Sequence, residues 1–143
     1  MSGRAAPPPG SGRQPTGWGR RGDRIEIRGL RATGVHGALE EERLRPQPFE
    51  VDLDVWADLA PAAASDRLAD TVDYGALAEA AHSVVTGRSH RLLEALAGEI
   101  ARVLLAADDR IRGVSVTVRK LRPPLPLDVA TTAVRIVRWR EPR

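Results

Sequence analysis

Residues 49–59, FEVDLDVWADL, alternate apolar and polar side chains without a break, and no other stretch restricts the fold as tightly. Phe49, Val51, Leu53, Val55, Ala57 and Leu59 fall on one face, while Glu50, Asp52, Asp54, Trp56 and Asp58 fall on the other. A period of two with one apolar face is the pattern of a half-buried antiparallel strand. The segment 113–120, GVSVTVRK, repeats it, with Val114, Val116 and Val118 in phase and Lys120 next in that register. RIEIRGLRAT at 24–33 begins the same way, with Ile25 and Ile27 on one face and Gly29 marking a bulge. ATTAVRIVRWR at 130–140 reads as a fourth strand, and 34–48 reads as a loop.

Between the second and third strands the period changes to that of a helix. Over about 74–86, Leu77, Ala81, Val84 and Val85 form a buried stripe that Gly87 stops. Over about 90–106, Leu92, Leu93, Leu96, Ile100, Val103 and Leu104 recur at helical spacing, with Ser89 placed as the N-cap. The order is ββααββ, an α+β domain in which a four-stranded antiparallel sheet carries two helices on one face. A lone sheet of this kind exposes its edges, so the subunits are expected to pair through them.

Composition narrows the function. A chain of 143 residues fits one core. It has no cysteine, so disulfides and thiolate metal sites are excluded. No apolar run nears the roughly 18 residues of a membrane span, and the N-terminus lacks the apolar segment of a secretory signal. The expectation is a cytoplasmic protein. The isoelectric point of about 10.4 suggests nucleic acid, but the distribution of charge opposes it. Arg4, Arg13, Arg20 and Arg21 give residues 1–22 a charge of +4, and removing that from the formal +3 leaves the rest at −1. A near-neutral body has no basic groove. Residues 1–22, rich in Pro, Gly and Ser, read as a disordered tail, and 23–143 as the catalytic domain.

Lys120 is the only lysine among 22 basic residues. Arginine stays charged at ordinary pH, whereas a lysine in a partly apolar place can exchange a proton. Strand phase puts Lys120 on the apolar face where the third strand ends. A lysine that snorkels into water from the same position is the competing reading.

Four pieces, GVHGALEEE (34–42), DTVDYGAL (70–77), RLLEALAGEIA (91–101) and the lysine segment with PPLP (123–126), stand together in order and spacing. Together they resemble the dihydroneopterin aldolases of folate biosynthesis, over about residues 23–138. The resemblance implies the tunnelling fold, in which ββααββ subunits join their sheets into a barrel with the helices outside. It also implies a homo-oligomer, a tetramer or octamer, with pterin sites at subunit interfaces. On this resemblance Glu94 anchors the pterin: its carboxylate accepts from a guanidinium-like pair of donors. Glu94 would also complement the positive start of its helix. Leu93 matches the neighbouring position whose backbone contacts the pterin, and Tyr74 the tyrosine that enters from an adjacent subunit. A lone tyrosine at a helix start otherwise packs with a wet hydroxyl. Glu42 matches a glutamate near the substrate side chain, and Lys120 the catalytic lysine. His36 is read as shaping its loop, and His82 and His90 as surface or interface residues. The chain departs from the family pattern at Pro46, before Gln47, and at Leu127, both taken to alter loop shape more than chemistry.

The implied reaction is retro-aldol cleavage of 7,8-dihydroneopterin to glycolaldehyde and 6-hydroxymethyl-7,8-dihydropterin. The ring's conjugated imine accepts the electrons of the broken bond, so neither a Schiff base nor a metal is required, and no cofactor is expected. Lys120 is assigned the acid/base role, Tyr74 proton delivery and Glu42 orientation of the side-chain hydroxyls. The rival readings are an epimerase of the same fold acting on the triphosphate, a zinc-dependent pterin synthase needing three histidines, and a nucleic-acid-binding module using the tail.

Overall fold

The computed structural model describes residues 22–142, so the tail reading for 1–22 falls outside the described residues except at Gly22. The elements run β1 (Arg24–Gly34), α1 (Glu40–Leu44), β2 (Gln47–Trp56), α2 (Ala60–Ser65), a 3-10 turn (Leu68–Asp70), α3 (Tyr74–Thr86), α4 (Leu93–Ala107), β3 (Gly113–Lys120) and β4 (Thr132–Trp139). The sheet order is β1-β2-β3-β4, and every neighbouring pair is antiparallel. The expected α+β architecture is present.

The alternation of β2 does what its pattern demands. Phe49, Val51, Leu53 and Val55 are fully buried under the helices, as are Val114, Val116 and Val118 of β3. Leu77, Ala81 and Val85 of α3 and Leu96, Ile100 and Leu104 of α4 close the core from above. Each large apolar side chain buried in this way contributes about 1.5–3 kcal/mol. Asp73 caps α3 by accepting a hydrogen bond from the Ala76 N–H at 3.1 Å. In β1 the pairing slips between Ile27 and Leu30, at Gly29, whose φ of +71° suits glycine. The freed Gly29 N–H donates to the Asp52 carboxylate at 2.8 Å.

Several expectations need correction. Residues 34–48 are not all loop, since Glu40–Leu44 make a short helix and β2 begins at Gln47. β2 ends at Trp56 instead of Leu59, and the segment 60–70 folds into α2 and the 3-10 turn. α4 starts at Leu93, and Ser89 is not its cap, because the Ser89 hydroxyl donates to the Val35 carbonyl instead. His90 is no surface residue but is buried. The face of β2 assigned to water is covered at one end, where Asp54 and Trp56 are buried beneath Arg28 and Trp139.

Candidate active site at the Lys120 end of the sheet

Lys120 closes β3 opposite Phe49, in phase with Val114, Val116 and Val118. Its ammonium lies 2.7 Å from the Glu42 carboxylate, and the two side chains are only 12% and 6% exposed. The snorkelling alternative therefore fails: the head group turns inward to a partner. Glu40 and Glu41, its neighbours in α1, are exposed.

The segment around Glu42 is built to hold it. A Cβ on Gly37 would stand 2.4 Å from the Glu42 carboxylate, so only glycine leaves room for it. One Glu42 oxygen takes the Leu39 N–H at 3.3 Å and the other takes Lys120. Burial alone would raise this carboxyl. The bonds from Lys120 and Leu39, with the charge of Lys120, outweigh burial and hold it below its ordinary value. Gln47 donates to the Glu42 carbonyl at 3.2 Å, pinning α1 to the first residue of β2. The sequence alone assigned Gln47 no role, and its place beside the departure at Pro46 was the available signal.

A cleft of about 450 Å³ opens beside the pair, lined by Glu41, Glu42, Arg45, Pro46, Gln47, Pro48, Arg122 and Pro124. Glu94 sits exposed in the first turn of α4, and its carboxylate has no hydrogen-bond or ion-pair partner among the described residues. Leu93, half-buried, packs on the core beside it. Because α4 packs on β3 and is joined to it through the turn after Ala107, the start of α4 lies at the Lys120 end of the sheet. The fold thus brings Glu42, Lys120, Leu93 and Glu94 to one end.

Tyr74 is not with them. It is 64% exposed at the first residue of α3, on the wall of a separate cavity of about 400 Å³ with Leu68, Thr71, Val72, Asp73 and Gly75. α3 runs from there to the Lys120 end, a span of about 20 Å at 1.5 Å per residue. Within one chain Tyr74 stands at the end opposite Lys120.

Residues 25–137 match the family model described as FolB: Dihydroneopterin aldolase. The chain belongs to the dihydroneopterin aldolase family. It is 42% identical over 118 residues to the dihydroneopterin aldolase of Methylorubrum extorquens, covering 82% of this chain and 91% of that one. The identity is also 42% over 118 residues with the dihydroneopterin aldolase of Streptomyces coelicolor, covering 82% and 98%. Among solved structures, the E. coli dihydroneopterin aldolase in complex with neopterin superposes with a TM-score of 0.74 at 30% identity, covering 81% of this chain and 98% of that one. The two departures from the dihydroneopterin aldolase pattern fall in different places. Pro46 lines the cleft beside Glu42, whereas Leu127 is 72% exposed in the loop after β3.

Proposed function

We propose that the chain is a 7,8-dihydroneopterin aldolase, and the observation that carries the reading is the nearly buried Lys120–Glu42 pair at 2.7 Å. Catalysis requires a proton to leave the substrate's 2′-hydroxyl as the C1′–C2′ bond breaks. The electron pair of that bond moves into the ring's conjugated imine, glycolaldehyde departs, and the resulting enamine takes a proton at C1′ to give 6-hydroxymethyl-7,8-dihydropterin. Lys120 in its amine form accepts that proton, directly or through water, and the ammonium so formed can return it to the enamine. Glu42 orients the side-chain hydroxyls. Glu94, unpartnered, offers both oxygens to the pterin's donor pair, and Leu93 offers backbone beside it. The ring supplies the electron sink, so the chemistry is read as neither Schiff-base nor metal dependent.

Tyr74 completes the site from a neighbouring subunit, delivering the proton to the enamine carbon. Its exposure and its place at the far end of α3 support this, as do the outer edges of β1 and β4, which no strand pairs among the described residues. The active form is thus a homo-oligomer, a tetramer or octamer. No described helix is long and apolar enough to cross a membrane, and the location is read as cytoplasmic. The catalytic domain is placed at 23–143. Deleting 1–22 should leave turnover and assembly nearly unchanged.

One observation keeps an epimerase of this fold in the comparison. Arg45 and Arg122 line the cleft beside Glu42, and neither has a partner among the described residues. Two free guanidiniums suit a phosphate tail. The test is incubation with 7,8-dihydroneopterin and, separately, its triphosphate. Stoichiometric glycolaldehyde from the first is the aldolase result; epimerised triphosphate without glycolaldehyde would replace it.

A further inference from the structure

His36 is buried and makes two hydrogen bonds that fix its tautomer. Nδ1 accepts from the His90 N–H at 3.0 Å, so the ring proton is on Nε2, which donates to the Val85 carbonyl at 2.6 Å. Around the ring, the Gly37 N–H donates to the His90 carbonyl at 3.0 Å, and the Ser89 hydroxyl donates to the Val35 carbonyl. Residues 35–37 are thereby sewn to residues 85–90. The first segment leads within a few residues to Glu42, and the second to Leu93 and Glu94. The same ring meets Phe49 edge-on, with centroids 5.3 Å apart, and Phe49 is the cross-strand partner of Lys120.

We propose that His36 is a positioning residue whose neutral imidazole holds the Glu42 segment and the Leu93–Glu94 segment in one register, and whose protonation releases that register. This rests on the site reading above. Chemistry decides the direction: a second ring proton would point the new Nδ1–H at the His90 N–H, turning an acceptor into a repelled donor. The groups around the ring oppose that proton. Burial is the largest influence and pushes His36 below its ordinary value, the Val85 carbonyl works against it, and the charges of His90 and Lys120 add to it. His90 lies 5.3 Å away, subject in turn to Arg88 and, in the opposite sense, to Glu99 of α4. Glu42 faces Lys120 instead. At neutral pH the clamp is closed.

Three variants of the full-length protein test this, read by turnover of 7,8-dihydroneopterin and by binding of 6-hydroxymethyl-7,8-dihydropterin. His36→Asn places an oxygen near Nδ1 and keeps the bond to His90, whereas His36→Gln keeps only a donor toward Val85. Misplacement of catalytic groups by about 1 Å costs on the order of 10²-fold, so His36→Gln should lose about 10- to 100-fold in kcat/KM, with both kcat and pterin affinity falling. His36→Asn should retain several-fold more activity than His36→Gln, and the acid limb of its pH profile should move to lower pH. Equal losses in the two variants with an unmoved acid limb would show a ring that only fills space. Should both variants fail to fold, Ser89→Ala decides, because its exposed hydroxyl can be removed without opening the core. It should weaken pterin binding about 2- to 10-fold, the range of one neutral hydrogen bond, and unchanged affinity would overturn the proposal. A wild type with neither turnover nor pterin binding would sink the aldolase reading. An active wild type matched by all three variants would sink only the role of His36.

Discussion

Arg119 and Lys120 are neighbours in β3 that point to opposite faces of one sheet, and their ion pairs differ in kind. Arg119 lies 2.6 Å from Asp52 and 3.6 Å from Glu50, and Asp52 also takes the Gly29 N–H. Glu50 is shared with Arg31, and Arg28 and Arg24 repeat the pattern around Asp54. Arg119, Glu50, Arg24, Arg28 and Asp54 each have a second charged partner, and Arg119 is 30% exposed. Lys120 has one carboxylate, and both are nearly dry. The first arrangement fastens strands together and tolerates loss. The second is the pair proposed to carry the reaction, and losing either member strands the other.

The largest expected effect tests the acid/base role proposed for Lys120. Lys120→Arg keeps the charge but not the ability to give it up near neutral pH. Turnover should fall by about 10²–10⁴-fold, while pterin affinity changes little. Steady-state kinetics with more than about a tenth of wild-type turnover would place Lys120 beside Arg119 as a fastening residue.

Next is Glu42→Gln, which leaves the Lys120 ammonium facing a neutral amide. Removing one partner of a buried pair costs about 3 kcal/mol or more, read as a fall in urea midpoint at constant slope. The same substitution has a pH signature. Glu42 is depressed in the folded state, so its stabilisation is complete above the unfolded value of about 4.3 and disappears as pH falls through the folded one. The gap between variant and wild type should therefore close only below about pH 4. A gap independent of pH would mean that Glu42 contributes shape and not charge.

Glu94→Gln comes third. It swaps one acceptor oxygen for a donor that opposes the pterin's donors. A lost charged hydrogen bond costs about 1.5–3 kcal/mol, a roughly ten- to hundred-fold weaker Kd by fluorescence titration. Equal affinity would leave Glu94 as a helix-end charge only.

Arg119→Gln should have the smallest effect. A partly exposed pair in a shared network contributes about 1 kcal/mol or less, and screening shrinks it further. Thermal melts in low and high salt should converge for Arg119→Gln but remain apart for Glu42→Gln. A loss at Arg119 as large and as salt-resistant as that at Glu42 would erase the contrast.

Local pattern carried much of this into the sequence. Strict alternation located β2 and β3 and put Lys120 on the helix-covered face, and the spacing of Leu77, Ala81 and Val85 bounded α3 at Tyr74 and Thr86. What escaped depends on contacts between distant residues. His90 is buried because its N–H meets His36, 54 positions earlier, and Ser89 is drawn from a capping role by Val35. α1 escaped because five residues with three glutamates show no apolar stripe. The Lys120–Glu42 contact spans 78 positions, so residue types could suggest a proton-moving lysine but not its partner. Tyr74 could be placed at a helix start, yet the role proposed for it would depend on a chain other than its own.

The bulge at Gly29 has a consequence for how this strand can change over time. Odd-numbered Ile25 and Ile27 and even-numbered Leu30 and Ala32 pair on the core side with Val55, Leu53, Val51 and Phe49, so Gly29 acts as a parity switch. Deleting one residue elsewhere in β1 would invert the orientation of everything on one side of the lesion. At Gly29 the surplus residue is already isolated from the ladder. It marks the point where β1 can gain or lose length while both halves keep their faces, and where indels between relatives should gather.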